Sequence, residues 1–302
     1  MTNPAPRAVA ILGCGTIGGG WAALFAAYGA HVRVVDPDPA AVQRASAALA
    51  IACDIGVGGG TRGPIEAVPT AADAADAADW IQESLPERLE RKRAVFAELE
   101  GHVSPAAIVA SSTSTFTGSA LAEGRSFAGR VVVAHPLHPV YAVPVVELCP
   151  ARGTSLEALD RAERLLRAVG REPIVVRAEL AGLVGHRLTA ALLREAIDLV
   201  ARGAITARDL DRVVSHGIAT GWAAAGPFAT EAIGNAGAGR NSDAAAAHLE
   251  SVLAPLWRSL ASWPGLDAAR AESLRAALDG MGAGGGGVSE REWAERIARG
   301  RR

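Results

Sequence analysis

The sequence holds three cysteines in 302 residues, Cys14, Cys53 and Cys149, odd in number and far apart. A disulfide framework and a metal site of paired-cysteine spacing are therefore excluded, and buried free thiols are expected. No apolar run approaches the ~18 residues that a membrane span needs. The N-terminus shows no charged region leading into a long apolar core, so no secretory leader is expected and the cytoplasm is the expected compartment. Neither sign of charge dominates: 30 basic against 32 acidic residues give a formal net charge of −2. That balance offers no basic stripe for nucleic acid and no polybasic segment for a membrane surface. Small molecules and further copies of the chain are left as partners. Apolar residues are what the chain has in quantity. They make up half of it, enough to exclude global disorder and to fill the cores of about two domains.

Residues 9 to 36 read as one unit. An apolar run, Val9 to Leu12, leads into Gly13-Cys-Gly15-Thr-Ile-Gly18-Gly-Gly20, then an Ala-rich helical stretch, a second apolar run from His31 to Val35, and Asp36. A dinucleotide-binding βαβ unit has this order. Gly13 permits the tight turn, Gly15 lets backbone approach a diphosphate, and Gly18 lets the helix pack closely on the strand. The helix that opens at Thr16 and Ile17 presents free N–H groups and its positive dipole end to that anion. Asp36 lies 21 residues after Gly15, where a carboxylate can accept both ribose hydroxyl protons and repel a 2′-phosphate. NAD is therefore the expected cofactor over NADP, although Arg33 stands close by. An FAD site shares the glycine pattern, but the chemistry further along the chain favours nicotinamide.

Strand and helix patterns alternate up to Arg177, which predicts an α/β fold: a doubly wound, mostly parallel sheet over residues 1–180 with helices on both faces. Beyond it the strand signal stops, and 181–302 reads as an all-helical domain for substrate and dimerisation. Predicted helices there include 182–202, 206–216, 227–236, 243–261 and 267–278. The Gly-rich stretch 280–287 reads as a flexible joint and 290–299 as a mobile charged helix. The long apolar helices need more burial than one small domain offers, so a homodimer is expected.

His135 follows one predicted strand and Glu147 ends the next, twelve residues later. Ligands of such sheets bind outside the carboxyl ends of the strands, so both side chains can reach the cofactor's reactive end. A carboxylate that orients an imidazole and favours its protonated form makes a competent acid–base.

With these motifs the sequence resembles the 3-hydroxyacyl-CoA dehydrogenase family, in its short branch of λ-crystallin, L-gulonate 3-dehydrogenase and L-carnitine dehydrogenase. The resemblance covers most of the chain. It rests on the glycine loop, Ile81-Gln-Glu-Ser-Leu-Pro-Glu-Arg-Leu-Glu-Arg-Lys92, Ala110-Ser-Ser-Thr-Ser-Thr115, Ala134-His-Pro-Leu-His-Pro-Val-Tyr141 with Pro144-Val-Val-Glu147, and Gly182-Leu-Val-Gly-His-Arg-Leu188. It implies an NAD-dependent dehydrogenase acting on a 3-hydroxy compound. Ser114 and His135 would contact the substrate oxygen and Glu147 would pair with His135. Glu87, Lys92 and Ser112 would lie near the cofactor. Removing one such oxygen donor costs about 3 kcal/mol in comparable sites.

Three positions depart from the family's pattern. His138 and His186 stand where asparagine is usual, and Gly221 precedes Trp222 where the branch commonly has arginine. His186 would still donate to the substrate oxygen, while His138 and Trp222 are expected to shape the substrate pocket. Tyr141, Trp222 and Phe228 are candidates for an aromatic wall. The short stretch from Asp36 to Trp80 offers no basic arm for a CoA nucleotide, so a free small substrate is favoured. Oxidation of a CoA- or carrier-bound 3-hydroxyacyl group is the second reading, and a non-catalytic, crystallin-like NAD(H)-binding protein the third.

Overall fold

The computed structural model describes residues 5–234, 246–282 and 288–300. Eight strands form one sheet: β1 (Ala8–Leu12), β2 (His31–Val35), β3 (Ile65–Ala67), β4 (Trp80–Glu83), β5 (Ile108–Ser111), β6 (Val131–Pro136), β7 (Val145–Pro150) and β8 (Glu172–Val175). Their spatial order is β3-β2-β1-β4-β5-β6-β7-β8. The apolar runs at β1, β4 and β5 are buried on both faces, as inner parallel strands require. β1 to β6 are parallel, and β7 then runs antiparallel to β6 with β8 parallel to β7. β3 is an addition to the expected set. It has three residues, lies at the sheet edge and is half to fully exposed, so it carries no apolar alternation to betray it.

Helices cover both faces. One core joins the sheet to α1 (Thr16–Ala27), α2 (Ala41–Asp54) and α6 (Leu156–Ala168). The opposite core joins it to α3 (Ala71–Ala75), α4 (Leu89–Glu98) and α5 (Gly118–Ala122), with Phe96 against Phe127. α1 is apolar all round, and every residue from Gly18 to Ala27 is buried. A helix of that composition needs cover on its outer side as well as on the sheet. α2 supplies most of it, and the C-terminal helix Glu290–Arg299 joins the same core through the fully buried Ala294 and through Ile297.

The chain divides into two compact units, Met1–Arg187 with Val288–Arg302, and Leu188–Gly287. This corrects the expected 181–302 domain at both ends. The first turn of α7 (Gly185–Ala201) is held to the sheet because Glu147 Oε1 accepts from Val184 N at 2.7 Å and Gly185 N at 3.0 Å. The tail helix is likewise no loose end. It begins with a Ser289–Glu292 capping box, is tied to α2 by Arg291 Nη1–Asp54 Oδ2 at 2.8 Å, and buries Ala294 in the core that α1 and α2 share. Of the Gly-rich stretch 280–287, residues 283–287 lie outside the described residues, as does the 243–245 start of one expected helix.

The second unit is helical in its described residues: the rest of α7, then Ala207–Val213, Ala219–Ala225, Pro227–Gly234, Ala254–Trp257 and Ala268–Gly282. Two expected helices are broken by π-helical turns, at Val214–Ile218 and at Leu249–Leu253. The second turn leads into Pro255, which has no N–H for a regular ladder. Its polar centre is Asp198, which is buried and binds Arg202 Nη2 at 2.6 Å, Arg270 Nη2 at 3.2 Å and Trp263 Nε1 at 3.3 Å. No helix of the described residues is long and apolar enough to cross a membrane.

Candidate active site

The site is built on the carboxyl ends of β1, β2, β4, β5 and β6. After β1 the chain turns at Gly13, whose φ of +86° L side chains rarely adopt. Gly18 then passes so close that a Cβ there would sit 1.9 Å from the Gly13 carbonyl oxygen. A Cβ at Gly15, by contrast, would meet nothing within 4 Å. α1 starts there with no side-chain cap, so the first N–H groups of the helix, at Thr16, Ile17 and Gly18, lack a capping acceptor. Asp36, at the end of β2, holds this loop in place: Oδ2 accepts from Cys14 N at 2.6 Å and Oδ1 from Asp38 N at 2.9 Å. Each oxygen keeps a lone pair for a ribose hydroxyl. Arg33 is engaged elsewhere, donating to the Asp73 carbonyl at 2.7 Å and to that of Asp76. An uncapped helix start, room beside Gly15 and a carboxylate on β2 fit the diphosphate and ribose of NAD.

The ends of β4 and β5 form a buried electrostatic scaffold. Lys92 is 1% exposed and donates to Glu83 Oε1 at 2.8 Å, to Glu83 Oε2 at 3.1 Å and to the Leu85 carbonyl at 3.1 Å, with Glu87 Oε2 in ion-pair contact at 3.2 Å. All three of its protons are thereby used within the protein. Burial pushes the Glu83 pKa up, opposed by Lys92 and by the hydroxyl of Ser111. Glu87 gathers the 113–115 loop on one oxygen: Oε1 accepts from Thr113 Oγ1 at 2.5 Å, Ser114 N at 3.0 Å, Thr115 N at 2.9 Å and Thr115 Oγ1 at 2.8 Å. Burial works against its ionisation, but these bonds and the Lys92 charge overcome it and bring the pKa down to about 2. Ser112 is equally committed. Its Oγ accepts from Trp21 Nε1 at 3.2 Å and Gln82 Nε2 at 2.8 Å, and lies 2.9 Å from Ser84 Oγ. Glu83 and Thr113 were not singled out in the sequence, where a charge at a strand end and a threonine in a Ser/Thr run give no distinguishing signal.

The antiparallel turn of β7 against β6 sets His135 directly opposite Glu147 in register. The twelve-residue spacing in the sequence is the span of that β-hairpin, and cross-strand pairing brings the side chains together. Glu147 Oε2 lies 3.0 Å from His135 Nδ1, and His135 Nε2 lies 3.2 Å from Ser114 Oγ. Both His135 and Glu147 are buried. Burial opposes the Glu147 charge, but His135 and the N–H groups of Gly185 and Val184 stabilise it more, so its pKa falls below the ordinary carboxylate value. The ring of His186, on the first turn of α7, lies 4.7 Å from that of His135 at 56°. Its pKa is lowered by burial and by His135, against the pull of Glu147 and Glu87.

The remaining predicted residues part company. The His138 ring lies 5.5 Å from that of Trp293 on the C-terminal helix, and its Nδ1 is buried with no hydrogen-bond partner. Tyr141 is buried and donates to Glu290 Oε1 at 2.8 Å. Trp222 and Phe228 belong to the second unit, where they are 43% and 88% exposed.

The comparisons with known proteins point the same way. A family model described as the NAD-binding domain of 3-hydroxyacyl-CoA dehydrogenase matches residues 8–179. A Gibberella moniliformis protein named 3-hydroxyacyl-CoA dehydrogenase is 38% identical over 236 residues, 76% of this chain and 73% of that one. An L-carnitine dehydrogenase of Oceanobacillus iheyensis is 37% identical over 238 residues, 76% of this chain and 78% of that one. Among solved structures, an NAD-dependent 5-formyl-3-hydroxy-2-methylpyridine 4-carboxylic acid 5-dehydrogenase superposes with a TM-score of 0.81 at 28% identity, covering 98% of this chain and 97% of its own. The glycine loop, the strand-end acids and these likenesses agree: the chain is an NAD-dependent oxidoreductase belonging to the 3-hydroxyacyl-CoA dehydrogenase family.

Proposed function

We propose that the protein interconverts a small, polar 3-hydroxy compound and its 3-keto partner. The observation that carries this is the line Ser114 Oγ, His135 Nε2, His135 Nδ1, Glu147 Oε2, with steps of 3.2 and 3.0 Å. Gly13, Gly15, Thr16, Ile17, Gly18 and Asp36 would hold NAD, which would supply the hydride acceptor. His135 Nε2 takes the proton of the substrate hydroxyl, and Glu147, kept ionised, stabilises the resulting imidazolium at Nδ1. Ser114 donates to the same oxygen as it gains carbonyl character, or to the developing alkoxide in the reverse direction. His186 stays neutral beside the cationic ring and donates a second hydrogen bond to that oxygen. Glu87, itself held by Lys92, fixes the backbone on which Ser114 rides.

A small substrate is favoured over a CoA thioester because Arg44 and Arg62 are the basic side chains between Asp36 and Trp80. Arg44 is already paired with Asp38 at 2.6 Å, a poor beginning for a nucleotide clamp. NAD reduction measured over 3-hydroxy acids, sugar acids and amino alcohols beside 3-hydroxyacyl-CoA esters tests the reading. Turnover of a free acid is expected. Turnover confined to the thioesters would replace it with the activity named for the Gibberella relative, and NADH binding without any turnover would leave a binding protein.

The second unit supports a homodimer. Leu188 and Leu192 lie one turn apart on α7 and are 63% and 39% exposed, and Leu193 and Leu278 border an apolar groove of the same unit. A second copy laid along that face supplies the missing burial. We place the enzyme in the cytoplasm, in keeping with its three free thiols.

A further inference from the structure

The segment from Leu137 to Pro144 joins His135 to the strand that bears Glu147, so whatever holds it holds the acid–base pair. Its inner side is fixed by the sheet domain itself. Val140 fits over Gly20, where a Cβ would come within 2.9 Å of the valine side chain. The buried Arg171 donates to the carbonyls of Val140 at 3.1 Å and Val143 at 2.9 Å. The outer side of the segment presents the His138 ring and the Tyr141 hydroxyl. Both are met by the C-terminal helix, through Trp293 at 5.5 Å and Glu290 at 2.8 Å. That helix is itself anchored by its capping box, by Arg291 on Asp54 and by Ala294 in the core. Glu290 also borders a groove with Gly15, Thr16, Gly19 and Gly20 of the cofactor loop.

We infer that Trp293 and Glu290 are positioning residues for the dehydrogenase site, acting through His138 and Tyr141 on the segment between the acid–base histidine and its carboxylate. The helix touches no reacting atom. It keeps the segment from drifting outward, and a misplacement of about 1 Å in such a support can cost up to ~100-fold in rate. The inference rests on the assignment of His135 and Glu147, and its test separates the two.

Hydrogen exchange of residues 137–143 is measured in the cofactor-free full chain, together with NADH affinity by fluorescence and steady-state kcat and KM. In Trp293→Ala the segment is expected to exchange at least about tenfold faster, as local opening becomes easier. Its kcat is expected to fall about 5- to 20-fold while the NADH Kd stays within about twofold, the signature of lost orientation. Trp293→Phe should restore both exchange and kcat. Tyr141→Phe, a milder change that releases Glu290, should move the same two readouts in the same direction by about two- to fivefold. Unchanged exchange in both Trp293→Ala and Tyr141→Phe overturns the inference. So does faster exchange spread over the whole chain, or a kcat loss that Trp293→Phe fails to restore. If the native protein turns nothing over, the exchange data alone decide whether the helix holds the segment, and the catalytic assignment fails separately.

Discussion

The two units are made from similar material and use it differently. Both are rich in alanine and leucine, yet the first buries a continuous core on each face of its sheet, while Ala261 and Asp198 are the buried residues among those described in the second. A sheet gives every helix a broad apolar plane to rest on. Helices of four to seventeen residues, two of the expected ones interrupted by π-turns, offer only narrow faces. The first unit therefore holds the ordered chemistry and the second an unfilled demand for partners.

The sharpest way to test that division is to remove the histidine on which all the proposed chemistry converges. His135→Ala is expected to lower kcat by about two to four orders of magnitude with NADH affinity nearly unchanged. Comparable activity in that variant would break the contrast outright. Next in size is Gly18→Ala, whose added methyl has a backbone oxygen 1.9 Å away. Overpacking of about 1–3 kcal/mol in the cofactor loop should weaken NADH binding by about 10- to 100-fold, read by fluorescence titration. On the second unit, the proposed homodimer predicts that Leu193→Asp should halve the mass seen in sedimentation while leaving NADH affinity within about threefold. The smallest effect concerns acid. The Glu87 pKa of about 2 lies below its ordinary 4.5, so its ionised form is the one folding favours. Its contribution is complete above about pH 4.5 and is lost as the pH falls toward 2. Thermal unfolding of Glu87→Gln should be lower at neutral pH and flatter across that window. An unaltered acid slope would assign the acid sensitivity to another group.

How much of this could be read beforehand depends on the range of the signal. The dinucleotide unit was legible because its message is local: apolar run, glycines, helix and Asp36 follow in chain order. The pairing of His135 with Glu147 was legible only as a spacing. Its cause, the reversal of β7, depends on a neighbour strand and leaves no mark on either residue. Lys92 illustrates a different limit, since nothing in its helix announces that Glu83 and the Leu85 carbonyl will absorb all its protons. The tail helix leaves a fainter sign. α1 has no polar side to give to solvent, and a helix of that kind requires a second cover. α2 gives most of that cover, and the tail's share of the core, Ala294 and Ile297, stands far along the chain among charged residues that pattern reading assigns to water.

That share makes the nucleotide-binding body a discontinuous folding unit. Trp21 and Ala294 share one core although about 270 positions separate them, so closing it spans a loop of great length, the slow kind of contact. During synthesis the part of that core which Ala294 and Ile297 close stays open until this late segment arrives, and a chain cut short of it would leave an apolar gap there. Tags, proteolytic nicks or stop mutations near residue 290 would thus be felt at the opposite end of the polypeptide, as poor recovery of soluble protein before any defect in turnover is measured.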